Sequence, residues 1–159
     1  MAIDLSDIVQ RHLRILQLLY GSLLAAQVLL ATLFVYLWTL NSLDGNEMRP
    51  FFPFAVLAIT VFNIVGGRKL FLSKLSAIPT TATLDQRLSL YRQASIFRYA
   101  LLEGATLFNG IAFLVMGNFV FMVVAAGIIA YFVFLRPTKR TLFNDLQLEP
   151  LPFSAAPIE

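Results

Sequence analysis

Residues 66–98 read GGRKLFLSKLSAIPTTATLDQRLSLYRQASIFR. This stretch holds Arg68, Lys69, Lys74, Arg87, Arg92 and Arg98, half of the twelve Lys and Arg residues of the chain, and it separates two long apolar runs. Working outward, Arg11 and Arg14 precede the first apolar run, and Arg136, Lys139 and Arg140 follow the last. Only Arg49 falls in the connection between the first and second runs. Basic flanks are held on the cytoplasmic side when apolar helices insert into a membrane. The pattern therefore predicts an all-α membrane protein with four transmembrane helices in a cytoplasmic (inner) membrane. Both termini are cytoplasmic, and the lipid bilayer is the first partner.

Composition agrees. The chain has 159 residues, 58% of them hydrophobic and 13% charged, with a mean hydropathy of +0.77. That is far too apolar for a soluble domain of this size. The formal charge of +3 is accordingly topological, and no nucleic-acid partner is expected. The cationic loops also face an anionic leaflet, which attracts each exposed Lys or Arg by roughly 1 kcal/mol. With no Cys and a single His, His12, thiolate chemistry and His/Cys metal clusters are excluded. No metal or cofactor is expected, and His12 reads as an interfacial side chain. The first helix is expected from about Leu13 to Leu40, and its apolar run, which continues to Trp38, exceeds the core of a signal peptide, which spans about 7–15 residues. It reads as a retained helix, with Tyr36 and Trp38 as interfacial anchors.

The small residues Gly21, Ser22, Ala25 and Ala26 recur at helical spacing and predict close bundle packing. Asp44-Gly45 marks a turn, and Pro53 sits in the first turn of a second helix, where its missing N–H costs nothing. That helix is apolar to Val65 and is expected to continue beyond Gly66-Gly67 as an amphipathic extension to Leu75. Thr83 and Gln86 have the spacing of a capping box, and no breaker follows until Gly104. A third helix from Leu84 to Met116 would be about 50 Å long, with Leu84, Leu88, Tyr91 and Ser95 on one face. Helices 2 and 3 thus extend into a cytoplasmic helical hairpin over residues 68–97. Gly117-Asn118 permits a tight turn into a fourth helix, Phe119 to Leu135, whose Ala126, Gly127 and Ala130 should face helix 3. Residues 1–136 form the bundle with its hairpin. Residues 137–159 form a cytoplasmic tail: a short interfacial helix around Lys139–Leu146, then a Pro-rich end without fixed structure.

The chain offers no catalytic motif, and no enzyme activity is expected. Glu103 is the one carboxylate inside an apolar run, and an ionisable residue in a membrane is a functional candidate by default. Arg92, Tyr99, Thr106 and Gly110 fall near its helical face, which predicts a polar and small stripe directed into the bundle. Antiparallel pairing of helices 3 and 4 about Gly117-Asn118 would bring Glu103 towards Arg136, or towards the phenols of Tyr99 and Tyr131. Gln27, Asn63 and Asn109 complete the intramembrane polar residues. Such amides commonly bond between helices for about 0.6–2 kcal/mol.

The run Ala100-Leu101-Leu102-Glu103-Gly104-Ala105 resembles the carboxylate-bearing helix of rotary ATPase proteolipid subunits. The resemblance implies that Glu103 takes up a transported ion. More broadly, Tyr91-Arg92 through Gly117-Asn118 and Arg136-Pro137-Thr138-Lys139 look like uncharacterised small four-helix bacterial membrane proteins, which implies no particular activity. The leading expectation is a small accessory or scaffold membrane protein that binds a protein partner through its cytoplasmic hairpin or bundle. The alternative is an oligomeric proton or cation transport subunit using Glu103, with further copies of the chain as its partners.

Overall fold

The computed structural model describes residues 5–40, 51–79 and 81–147. Among them are five helices and no strand: α1 (Leu5–Leu40), α2 (Phe52–Ser76), α3 (Leu84–Met116), α4 (Val120–Phe134) and α5 (Lys139–Leu146). The Asp44-Gly45 turn, Arg49 and the Pro-rich end from residue 148 lie outside the described residues. Three helices, α1 to α3, are long and apolar enough to cross a membrane, and a fourth span is reached if α4 is counted with α5, from which it is bent by 81°. Taken alone, α4 has 15 residues, short of the ~20 that a bilayer core requires.

Local signals set the helix ends. Pro53 lies at the start of α2. Thr83 Oγ1 accepts from the Gln86 amide while the Gln86 side chain accepts from the Thr83 N–H, so the capping box closes. α3 stops at Gly117, whose φ of 61° is the left-handed conformation that a residue without Cβ adopts freely. Asn118 Oδ1 then accepts from the Val120 N–H at 3.0 Å and starts α4.

α3 is the hub, packing against α1, α2 and α4. It is the least apolar of the three long helices, yet 44% of its span is buried, against 11% for α1 and 22% for α2. The reason is the size of its inward residues: Ala94, Ser95, Ala105, Thr106, Gly110 and Ala112 are all buried, and small side chains let backbones approach. The tightest approach is at Gly110, whose Cα faces the ring of Phe34 in α1. Contacts fix the directions. α2 lies antiparallel to α3, with Phe71 against Tyr91 and Thr60 against Asn109. α4 is antiparallel to both α3 and α1, with Phe132 against Tyr99 and Tyr20 and Phe119 against Trp38 and Phe113.

Several sequence expectations are corrected here. Gly21, Ser22 and Ala25 are exposed, as are Ala126, Gly127 and Ala130. α4 buries Phe121, Ala125, Ile128 and Phe132 instead. A helix apolar all round carries no period that names its inner face, and large side chains interlocking with α3 decided it. α1 begins at Leu5 rather than Leu13 because its first turns are amphipathic, and Val9, Leu13 and Leu16 are buried.

Those first turns change the meaning of the hairpin. The extensions of α2 and α3 do not stand alone. Val9, Leu13 and Leu16 of α1, Phe71 of α2, Leu88, Tyr91 and Ala94 of α3, and Leu142 and Leu146 of α5 join one core cluster. This basic end of the molecule is a collar of four helices. α5 directs both of its buried leucines into the protein, not towards a bilayer surface. His12 Nε2 lies 2.9 Å from Oδ1 of Asp85, so the interfacial histidine expected from sequence ties α1 to the first turn of α3.

Candidate functional site

The polar residues singled out by sequence do not form one site. Glu103 is half-buried. Ala100, Gly104 and Ile111, near it on the helix, are exposed, whereas Tyr99, Thr106 and Gly110 on its other side are buried. It therefore sits at the seam where the packed face of α3 meets the outer surface, rather than in a polar stripe within the bundle. Among the described residues the one ion pair within 4.0 Å is His12–Asp85, so neither Arg136 nor any other described cation reaches the Glu103 carboxylate. The two phenols proposed for it are engaged elsewhere: Tyr99 Oη donates to Leu135 O at 3.3 Å, and Tyr131 Oη accepts from Arg98 Nη2 at 2.9 Å.

Deeper in the bundle, Asn109 Nδ2 donates to Thr60 Oγ1 at 2.7 Å and to Ala105 O at 2.8 Å. Thr106 returns its hydroxyl to Leu102 O in its own helix. Asn63 is half-buried one turn from Thr60 and takes no part in that bond. Gln27 is 1% exposed, and neither polar atom of its amide has a partner among the described residues. Only the Asn109–Thr60 bond joins two helices, and among the described residues these groups do not link into a polar path along the bundle.

The residues that do converge lie at the basic end, and sequence reasoning reached only part of them. A small cavity of about 80 Å³ is enclosed by Phe71, Tyr91, Ser95, Arg98, Tyr99, Arg136 and Asp145, among others. Tyr91 Oη donates to Asp145 Oδ2 at 3.1 Å. The Arg98 guanidinium lies 5.2 Å from the centre of the Phe71 ring while its Nη2 bonds Tyr131 in α4. Tyr20 Oη donates to the carbonyls of Phe132 and Val133 at 3.1 and 3.2 Å, which also accept from the Leu135 and Arg136 N–H groups at the end of α4.

Burial raises the Asp145 carboxyl above its ordinary 3.8, against the opposing pull of the Tyr91 hydrogen bond and the Arg98 charge. Burial, with the nearby Asp145 carboxylate, likewise pushes the Tyr91 phenol up. Asp145 stands in a sequence segment that reads as interfacial, so its tertiary partner was invisible. The signal available was the face shared by Leu88, Tyr91 and Ser95, all buried. The described residues contain no group of three His, Cys, Asp or Glu side chains fit to hold a metal. What the arrangement can do is fasten α5 to α3 through a carboxyl that titrates.

A second concavity, of about 490 Å³, opens on the other side of Arg136 and is lined by Gln10, Leu13, Arg14, Gln17, Thr138 and Lys139. Arg136 thus belongs to both walls.

No protein-family model, curated protein or solved structure matches the chain.

Proposed function

We propose that this chain is a four-span integral membrane protein of the cytoplasmic membrane, with its basic end and both termini in the cytoplasm. Its role is that of an accessory or scaffold subunit for a protein partner. α4 runs alongside α1 from the level of Trp38 to that of Tyr20, which supports its crossing the same apolar layer despite its length. At the other boundary Arg98 lies beside Gly67, the neighbour of Arg68, and Arg14 and Arg136 line one cleft. Cations from all four segments thus gather at one level, which favours a cytoplasmic assignment. The chain has no Cys, so Gln93→Cys supplies a single reporter. It should react with a membrane-impermeant maleimide only after the membrane is opened; labelling of intact cells from outside overturns the sidedness.

One observation carries the scaffold reading. At and beyond the basic level, Leu70 (48% exposed), Leu90 (37%) and Phe97 (53%) stay uncovered on the α2–α3 extension, and Lys74 lies 4.7 Å from the centre of the Phe97 ring. Apolar side chains rimmed by cations suit a partner offering apolar groups and carboxylates. Leu70→Glu with Phe97→Glu should abolish co-purification of that partner in mild detergent while membrane insertion is kept. Val123→Ala, on the exposed face of α4, should leave it unchanged. Equal recovery with all three chains counts against the reading.

A second reading is favoured by the Glu103 carboxylate at the α3 seam, which no cation among the described residues reaches within 4.0 Å. An oligomer could place that group against a neighbouring copy, as a proton or cation site. Reconstituted vesicles should then show a flux that Glu103→Gln removes. Absence of flux in the unaltered protein dismisses it.

A further inference from the structure

The cleft between the start of α1 and the α4–α5 corner is the most cationic concavity described. Its charged side chains are Arg14, Arg136 and Lys139, and its polar ones are Gln10, Gln17 and Thr138, with no carboxylate among the described residues of its wall. Gln17 Nε2 donates to Pro137 O at 3.1 Å, which holds the corner against α1. Thr138 caps α5 by accepting from the Thr141 N–H, so the positive end of that helix also faces this corner. About 490 Å³ admits a headgroup, whereas a single phosphate would fill only part of it.

What lies next to the cleft selects the ligand. Leu18 (68% exposed), one turn beyond Arg14, and Val133 (50%), one turn before Arg136, present bare apolar surface. Cationic groups with apolar surface just inside them match an amphiphile, its phosphate at the arginines and its acyl chains along Leu18 and Val133. Basic pockets between helices on the cytoplasmic face recognise lipid headgroups in this way. We propose that the cleft is a binding site for the phosphate headgroup of an anionic membrane lipid. Arg14, Arg136 and Lys139 contact the phosphate, and Gln10 and Gln17 bond the headgroup hydroxyls. This site is independent of the partner surface on α2 and α3.

The test uses the full chain in nanodiscs of phosphatidylcholine with or without phosphatidylglycerol, with retained lipid counted by native mass spectrometry. The unaltered protein should keep phosphatidylglycerol in preference to phosphatidylcholine. Arg14→Gln with Arg136→Gln should weaken this by about thirtyfold, the effect of two cations near a phosphate surface. Arg68→Gln with Arg140→Gln removes the same charge outside the cleft and should weaken it much less. Equal losses in the two pairs overturn the site in favour of general surface charge. Arg14→Lys with Arg136→Lys should retain the lipid, separating loss of binding from loss of fold. Inorganic phosphate is then titrated into both sets of nanodiscs. If it binds in phosphatidylcholine alone and displaces phosphatidylglycerol completely where that lipid is present, the ligand is a soluble phosphate and the lipid assignment is overturned; phosphatidylglycerol retained against it supports the lipid.

Discussion

The Tyr91 phenol donates to Asp145 Oδ2 at 3.1 Å, joining α3 to α5 across 54 residues of chain. With Leu142 and Leu146 buried beside it, this bond turns the segment after the last long helix into a cap on the collar. A hydrogen bond to an ionised acceptor is worth about 1.5–3 kcal/mol. Tyr91→Phe should therefore release α5 first, seen as earlier proteolytic cleavage near Pro137 with the remaining helices intact.

The same carboxyl makes the cap sensitive to pH. Because the docked Asp145 pKa is raised above 3.8, the docked state holds the proton more tightly than the released state. Docking is strongest below 3.8 and weakens as pH rises through the interval up to the raised value, then stays level. Asp145→Asn keeps an acceptor for Tyr91 and removes the slope. Amide exchange at Leu142 and Leu146 should slow on acidification in the unaltered chain, beyond the intrinsic effect of pH, and lose that extra slowing in the variant.

Asn109 and Thr60 lock α3 to α2 at 2.7 Å. Thr60→Val and Asn109→Leu should each lower stability in detergent by about 0.6–2 kcal/mol, with a coupling energy of similar size in the double variant. Simple additivity would show that the bond contributes nothing of its own.

Gln27 presents the opposite case. Its amide is buried without a hydrogen-bond partner, and such a group costs about 1–3 kcal/mol. Gln27→Met keeps the shape and removes the polar atoms, so its unfolding midpoint should rise. A fall would show that the amide is satisfied in the folded protein.

Gly110 faces the Phe34 ring so closely that a Cβ there would overlap it. Gly110→Ala should destabilise by about 1–3 kcal/mol through overpacking, and Phe34→Ala in that background should recover part of the loss. Gly104, with nothing near its absent Cβ, should accept alanine without loss.

What could be read in the residues alone follows from rules that act over a few turns of chain. The α3 boundaries at Leu84 and Met116 were legible because Thr83, Gln86 and Gly117 fix them through bonds to their immediate neighbours. The long apolar segments were legible because hydropathy is a local property of the chain, and three to four of them are long and apolar enough to cross a membrane. Packing obeys no such local rule. α4 and the second half of α1 carry no polar face, so their inner faces emerged only when Phe34 met Gly110 and Phe132 met Tyr99. For the same reason the Glu103 stripe divided at a seam. Proximity in the helical wheel does not say where a neighbouring helix ends. The Tyr91–Asp145 bond and the Arg14–Arg136–Lys139 cleft each join residues more than fifty positions apart. Chain direction at the Pro137 corner created both, by turning α5 back onto the bundle.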